Sequence, residues 1–261
     1  MASNWEGMAE AYAGSFARLC AGAVAPLMAG IEQAAKPGTR LLDVGTGTGT
    51  VAAAAADRGF TVEGVDAETT MLDFARQAHS GISFTEGRLP NLPYPAATFG
   101  AATANFVVNH ALDPRASVRD IARVLRRGSP LGVTIWPATI SPMNVLMNDV
   151  IEQGGARRLD GTRLPPEKDF ERTEAGLRSL MEEGGFGRVE VREISWTFDI
   201  APVDLWRAVT AGIANMGAIY LAQDDETRGR MRDAFDDLTA SMVEGGELHL
   251  PTTALLAHAI V

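Results

Sequence analysis

The sequence predicts an α/β fold: a mostly parallel sheet of seven strands with helices on both faces and a helical cap. Two observations carry this prediction. Short apolar runs alternate with amphipathic segments of helical period along residues 40–136, a pattern typical of a parallel sheet covered on both sides. The first run leads into a loop with glycine at every second position and then into a helix, which is typical of a ligand-binding turn at the carboxyl end of a strand.

The individual helices and strands are predicted from the spacing of their apolar residues and from residue types typical of helix ends. Lys36-Pro37-Gly38 ends the N-terminal helical segment, and Asp113-Pro114 begins another helix with an acidic cap and proline in the first turn. The predicted strands cover residues 40–44, 60–66, 82–85, 100–108, 131–136, 188–199 and 254–261. We expect one domain over residues 1–261. Its core comprises about 36–136, 171–200 and 247–261, and its cap comprises 1–35, 137–170 and 201–246.

Composition excludes several classes of protein. The net charge of −10 argues against a nucleic-acid-binding surface. Cys20 is the sole cysteine, so no intrachain disulfide can form. No basic, apolar leader and no run of 18 apolar residues is present, which predicts a cytoplasmic protein without a membrane span. Neither H-E-x-x-H nor clustered cysteines occur, so we expect no metal. The oligomeric state has no signal in the sequence.

The loop Gly45-Thr46-Gly47-Thr48-Gly49 contains the most information about a ligand. Its glycines allow a sharp turn and close approach of a ligand, and the helix that follows offers free N–H groups. Asp66 ends the next strand and can accept hydrogen bonds from ribose hydroxyls. A dinucleotide-binding site also binds the ribose with an acid at this position. Its glycine fingerprint, however, is G-x-G-x-x-G rather than the G-x-G-x-G found here.

Several ordered motifs carry a resemblance to a known family. D-V-G-T-G-T-G-T at 43–50 and V-E-G-V-D at 62–66 look like the first two motifs of class I S-adenosylmethionine (SAM)-dependent methyltransferases, which have a Rossmann-like sheet. The stretch 84–95 is similar to F-x-x-G-D-A-x-x-L-P-F-x of the ubiquinone and small-molecule subgroup, and 123–129 is similar to R-V-L-x-P-G-G. The resemblance covers roughly Trp5 to Trp136 and implies SAM as cofactor and a small-molecule substrate.

The resemblance also implies roles for individual residues. Gly45, Thr46 and Gly47 would line the methionine part of SAM, and Asp66 would bind the ribose. Ala67, Met71, Arg88 and Leu89 would surround the adenine, Asn105 would offer its carbonyl to the amino group, and Tyr12 would reach the carboxylate. The chain departs from the family at Arg88 and Gly100, where aspartate is usual, and at Arg127-Gly128-Ser129 in place of P-G-G. Arginine has no acceptor for the adenine amino group, so backbone groups or a stacked guanidinium would have to recognise the ring.

The candidate catalytic base is His110, which follows the fourth predicted strand. The alternative interpretation is a loop histidine that only caps or packs. Trp136 is a candidate substrate-binding residue at the end of the fifth strand. Met143, Trp206, Met216 and Tyr220 are further candidates, with core packing at helical spacing as the alternative.

Four functions remain open from the sequence. The first is methyl transfer from SAM to an O, C or N atom of a small molecule, with specialised metabolism as a candidate setting. The second is a different reaction on the same SAM-binding fold. The third, a nicotinamide-dependent oxidoreductase, is disfavoured by the glycine spacing and by the absence of a Tyr-x-x-x-Lys pair. The fourth, a non-catalytic binding module, is hard to reconcile with so complete a cofactor loop.

Overall fold

A computed structural model describes residues 9–159 and 164–261. Its strands are β1 (Arg40–Val44), β2 (Thr61–Asp66), β3 (Ser83–Glu86), β4 (Ala101–Asn105), β5 (Pro130–Ile135), β6 (Gly187–Ile200), β7 (Val243–Glu244) and β8 (Glu247–Ile260). Its helices are α1 (Ala9–Ala13), α2 (Phe16–Ala21), α3 (Val24–Ala34), α4 (Thr50–Asp57), α5 (Thr69–Ala78), α6 (Pro114–Val124), α7 (Pro142–Gln153), α8 (Glu174–Glu183), α9 (Pro202–Thr210), α10 (Ala214–Leu221) and α11 (Asp225–Ala240).

The strands form one sheet in the order β3-β2-β1-β4-β5-β8-β6, with β7 paired to β8. The four pairs among β1 to β5 are parallel, whereas β8 runs antiparallel to β5 and to β7. The α/β prediction with a mostly parallel sheet is therefore confirmed. The predicted count of seven misses β7, because a strand of two residues has no periodic pattern to detect.

The sheet order contains a switch point between β1 and β4. From β1 the chain builds outward through β2 and β3, and from β4 it builds the other way through β5. In open parallel sheets, ligands bind in the crevice at the carboxyl ends of strands where the order reverses. The loops after β1 and β4 therefore meet at the position where a ligand site is expected.

The described residues form two compact units. Among these residues the first unit draws on 9–22, 139–159 and 195–252, and the second on 23–138, 164–194 and 253–261. The second unit contains β1 to β5, and its buried core joins strand residues such as Leu42 and Val133 to Ile121 of α6 and Leu177 of α8. The first unit contains α7 and α9 to α11, where Phe235 is fully buried and packs on Trp206.

The unit boundaries differ from the predicted cap. Helix α3, assigned to the cap by the sequence, lies in the second unit. There Leu27 lies within 2.7 Å of the position that a Cβ on Gly132 of β5 would take. Gly30 meets the ring of His258 on β8, and the Leu27 carbonyl is 2.9 Å from His258 Nε2. The single-domain assignment stays a prediction.

Candidate functional site

The loop after β1 has the backbone that its glycines allow. Gly45, Gly47 and Gly49 have φ of +63°, +53° and +88°, values that residues with a Cβ rarely adopt. Helix α4 begins directly after Gly49, and no side chain caps its N-terminus. The first N–H groups of α4 are thus oriented toward the loop, where a polar or anionic ligand group can accept from them.

Asp66 connects the end of β2 to this loop. Its Oδ2 accepts a hydrogen bond from the Gly47 N–H at 2.8 Å, and its Oδ1 accepts from the Glu68 N–H at 3.0 Å. Burial raises the pKa of Asp66, opposed by these N–H groups and by the positive charge of Arg88. The two most informative predicted residues, Gly47 and Asp66, are therefore in direct contact.

Asp43 is a buried acid to which sequence reasoning assigned no role. Its Oδ2 accepts from the Thr46 hydroxyl at 2.7 Å and its Oδ1 accepts from the Thr103 hydroxyl of β4 at 2.8 Å. Burial raises the pKa of Asp43 to about 6, which the two hydroxyls oppose. An acid inside an otherwise apolar strand was the available signal. Asp43 holds the glycine loop against the neighbouring strand.

The predicted adenine-side residues lie along β2, α5 and the loop after β3. Ala67 follows Asp66 and is half-buried, and Met71 is buried on α5. Leu89 is half-buried against the main core, whereas Arg88 is exposed. Arg88 nevertheless acts electrostatically on Asp66, because its charge helps to keep that carboxylate ionised.

The segment after β4 is strained and well anchored. Phe106 has φ of +57°, which ends β4 three residues before the predicted limit of Val108. The Thr134 hydroxyl accepts from the Phe106 N–H at 3.0 Å and donates to Asn105 Oδ1 at 2.6 Å. The Phe106 ring stacks on Trp136, with ring centroids 3.9 Å apart.

This segment also reaches the glycine loop. A Cβ added to Gly45 would lie 2.4 Å from Val107 Cγ2, so only glycine fits beside the β4 loop. A Cβ on Gly49 would lie 2.7 Å from His79 Cδ2. His79 is half-buried, because the C-terminus of α5 returns toward the glycine loop.

His110 ends a short 3-10 turn, Val108–His110, directly after this segment. Its side chain is accessible to solvent, yet surrounding protein atoms desolvate the imidazole and lower its pKa. The ring is therefore neutral at pH 7 and has a lone pair available for a proton.

The other predicted site residues belong to the first unit. Tyr12 on α1 is hydrogen-bonded to Cys20, whose thiol pKa burial raises to about 12. Trp206 makes an edge-to-face contact with Tyr220 at 5.6 Å between ring centroids. Trp206 and Tyr220 thus take part in the aromatic packing of α9 and α10, whereas Met143 and Met216 line a cavity.

That cavity lies within the first unit and has a volume of about 300 Å³. Its walls come from α2, α7, α9 and α10, and most of them are apolar. The lining residues are Phe16, Ile140, Met143, Asn144, Met147, Asn148, Ile151, Leu205, Val209, Ile213, Ala214, Asn215 and Met216.

Two kinds of feature are absent from the described residues. Across residues 9–159 and 164–261, no three His, Cys, Asp or Glu side chains are grouped so as to hold a metal ion. No helix within those ranges is both long and apolar enough to cross a bilayer.

Comparison with known proteins places this geometry in context. Residues 42–132 match the model of a methyltransferase domain. The chain is 30% identical to a demethylmenaquinone methyltransferase of Paenarthrobacter aurescens over 108 residues, 41% of this chain and 43% of the relative. The matched segment spans less than half the length of the first curated relatives.

Solved structures share the fold at low sequence identity. The YcgJ protein of Bacillus subtilis superposes with a TM-score of 0.56 at 21% identity, covering 90% of this chain and 97% of that one. A phosphoethanolamine N-methyltransferase of Haemonchus contortus, solved with phosphomonomethylethanolamine and S-adenosylhomocysteine, gives a TM-score of 0.52 at 17% identity. That match covers 90% of this chain and 52% of the other.

Proposed function

We propose that this chain, a member of the class I SAM-dependent methyltransferases, transfers a methyl group from SAM to a small-molecule acceptor. The observation that carries the proposal is the hydrogen bond between Gly47 and Asp66 at the sheet's switch point. It joins a glycine loop, which a ligand can approach closely, to a carboxylate that can accept hydroxyl hydrogen bonds.

The residues around the loop fit the chemical groups of SAM. The Asp66 carboxylate has lone pairs beyond those used by Gly47 and Glu68, and these suit the two ribose hydroxyls. The uncapped N-terminus of α4 suits a carboxylate. The apolar side chains of Met71 and Leu89 suit the face of the adenine ring. When bound, SAM supplies an electrophilic methyl group on a positively charged sulfur.

His110 is the proposed general base. An acceptor hydroxyl loses its proton as the methyl group is transferred. The neutral imidazole of His110 can take that proton, and it lies just beyond the strained Phe106 at the end of β4. Further rate enhancement would come from holding the acceptor in line with the methyl group.

The remaining parts of the proposal concern partners and location. The acceptor is a small molecule rather than a nucleic acid, because the net charge of −10 disfavours phosphate contacts. A chain with one cysteine needs no oxidising compartment, which agrees with activity in the cytoplasm. A different SAM-dependent reaction and a nicotinamide-dependent reaction are the alternatives.

Calorimetric titration with SAM, S-adenosylhomocysteine and NADPH tests the cofactor. We expect the first two to bind and NADPH not to bind. Asp66→Ala should weaken SAM binding about 10- to 100-fold, because it removes hydrogen bonds to a charged group. Asp73→Ala on α5, an exposed acid paired with Arg76, is the matched control and should bind as the parent does.

Binding of NADPH alone would contradict the proposal. Unchanged SAM affinity in a folded Asp66→Ala protein would contradict the ribose assignment. If that variant is unfolded by circular dichroism, Asp66→Asn preserves the side-chain shape and tests the same contact. Transfer of a labelled methyl group to an extracted small molecule then distinguishes methylation from other SAM-dependent reactions.

A further inference from the structure

Arg88 is an exposed cation at the edge of the proposed cofactor site. The Gly87 N–H donates to the Asp66 carbonyl at 2.9 Å, so residue 88 comes directly after the point where its loop is joined to the end of β2. Gly87 has no room for a side chain, because an added Cβ would lie 2.7 Å from Val65 Cγ2 and 2.6 Å from Pro93 Cδ. The backbone beside Asp66 is therefore held closely, and the backbone of Arg88 is held with it.

The guanidinium of Arg88 has hydrogen-bond donors that the described part of the chain does not use. Over residues 9–159 and 164–261 this side chain takes part in no hydrogen bond or ion pair, and only its backbone pairs with Asn91. Its positive charge still acts on the carboxylate of Asp66, whose raised pKa it opposes. A group with five N–H donors and no acceptor therefore lies within electrostatic reach of the acid proposed to hold the ribose.

Two other arginines near this loop have structural partners instead. Arg76 on α5 donates to the Phe84 carbonyl at 2.9 Å. Arg123 on α6 donates to the Leu92 carbonyl at 3.0 Å. Each of these side chains joins a helix to the chain around β3, and removing it would leave a backbone carbonyl without its donor. Arg88 makes no such bond within the described residues, so holding the loop in place does not explain it.

The base of SAM is attached to the ribose, so a ribose held by Asp66 would place the base among the residues that follow β2 and β3. Ala67 and Leu89 are half-buried there and Met71 is buried, which suits the two faces of a purine ring. The edge of the ring is polar, and its 6-substituent sets the polarity: an amino group donates, whereas an oxo group accepts. Because arginine can only donate, Arg88 is complementary to an oxo group and not to an amino group.

We infer that Arg88 determines which purine the cofactor site accepts, and that the site binds a 6-oxopurine form of the cofactor at least as tightly as the 6-aminopurine form. The inference rests on the proposed function, since it concerns the base of a ligand whose ribose Asp66 holds. It depends on the side chain of residue 88 and not on the glycine loop, so the two can fail separately.

The experiment compares S-adenosylhomocysteine with S-inosylhomocysteine, in which an oxo group replaces the 6-amino group of the base. Calorimetric titration of the full chain gives the two Kd values, and their ratio cancels the contacts that both ligands share, including the contact of the ribose with Asp66. We expect S-inosylhomocysteine to bind the parent protein with an equal or lower Kd. A mismatched donor or acceptor at a base edge weakens binding about fivefold or more, so a preference of that size for S-adenosylhomocysteine in the parent would overturn the inference.

Substitutions at residue 88 test whether this side chain sets the ratio. Arg88→Asp supplies an acceptor and should reverse the preference, with S-adenosylhomocysteine bound about 5- to 100-fold more tightly than S-inosylhomocysteine. Arg127→Asp makes the same change of charge at an exposed arginine before β5, at the opposite edge of the sheet, and should keep the parent's ratio.

Arg88→Met removes the donors without adding an acceptor, and its ratio should lie between those of the parent and Arg88→Asp. It also serves as the test if circular dichroism shows that Arg88→Asp does not fold. The same ratio in the parent and in the folded Arg88 variants would overturn the inference, because the guanidinium would then not contact the 6-substituent.

The same titrations distinguish failure of this inference from failure of the proposed function. A parent protein that prefers S-adenosylhomocysteine, with a ratio that Arg88→Asp does not change, refutes the role of Arg88 and leaves the proposed function intact. A parent protein that binds only S-inosylhomocysteine supports the role of Arg88 and contradicts SAM as the methyl donor. A folded parent protein that binds neither ligand refutes the proposed function, and this inference with it.

Discussion

Two buried or partly buried carboxylates at the same sheet edge have different partners and different consequences. Burial raises the pKa of Asp66, and its backbone N–H partners and the Arg88 charge oppose that rise. Asp43 is 1% exposed and accepts only from threonine hydroxyls among its side-chain partners. Asp66 therefore keeps an acceptor available to a ligand, whereas Asp43 supports the loop from beneath.

The raised pKa of Asp43 predicts a pH-dependent stability. Because the folded-state pKa of about 6 lies above the ordinary value of 3.8, the stabilisation from the protonated carboxyl is complete below pH 3.8. It is lost as the pH rises through about 6. Replacing Asp43 by asparagine removes this loss. The free energy of unfolding of Asp43→Asn relative to the parent should rise by about 3 kcal/mol between about pH 4 and pH 7.

Urea denaturation at a series of pH values measures this difference. Asp57→Asn, an exposed site on α4, is the control and should show no such trend relative to the parent. A relative stability of Asp43→Asn that is flat with pH would mean that Asp43 titrates as an exposed acid does.

If His110 is the general base, the rate of the proposed reaction should depend on pH through its imidazole. Desolvation lowers its pKa below the ordinary 6.5, so activity should rise on the acid side with a midpoint below pH 6.5 as the neutral form becomes populated. His110→Gln should lower kcat about 100-fold or more and remove the acid-side limb, with SAM affinity unchanged. A variant with the parent's rate and pH profile would eliminate His110 as the base.

At the scale of elements, α6 holds the loop that follows β3. Arg123 donates to the carbonyls of Tyr94 at 2.6 Å and Leu92 at 3.0 Å. Its neighbour Asp120 accepts from the Leu92 N–H at 2.6 Å and pairs with the Arg123 Nε at 2.8 Å. This pairing gives a structural explanation for the R-V-L motif and keeps the segment containing Leu89 on the core.

Arg123→Ala should therefore destabilise the protein by about 1–3 kcal/mol, since it removes charge-assisted hydrogen bonds to two carbonyls. Amide hydrogen exchange should rise in the segment of residues 88–95 before it rises in β1 or β4. Arg119→Ala, an exposed arginine on the same helix, is the matched control with little expected change. Equal effects of the two substitutions on urea midpoint would show that Arg123 acts only as a surface charge.

At the scale of the whole molecule, the residues proposed to bind the cofactor come from strand ends that are distant in the sequence. Gly47 follows β1, and Asp66 and Asn105 are the last residues of β2 and β4; these three strands are neighbours in the sheet order. Parallel strands bring their carboxyl ends to one edge. The molecule thus gathers its most informative residues without requiring any long loop to fold back.

The conformation of the glycine loop follows from signals that are local in the sequence. A glycine that needs a positive φ, and an acid at a strand end, are recognisable within a few residues, and the contact of Gly47 with Asp66 follows from pairing of adjacent strands. The start of α6 was also predictable, because the acidic cap and the proline of Asp113-Pro114 are local signals. The predicted fourth strand, residues 100–108, continued past the actual end of β4 at Asn105. The positive φ of Phe106 ends the strand there, and no residue type in the sequence indicates it.

Other features depend on packing between segments far apart in the chain. Helix α3 looks like any apolar helix, and only the absence of side chains at Gly30 and Gly132 decides that it packs on β5 and β8. The same holds for Met143 and Met216, which line a cavity, and for Trp206, which is packed in a core. Apolar side chains at helical spacing are compatible with either place. The sequence could single out the glycine loop because backbone conformation there is dictated locally. The tertiary structure alone assigned the apolar side chains to cavity or core, because hydrophobic burial is non-directional and depends on which surfaces meet.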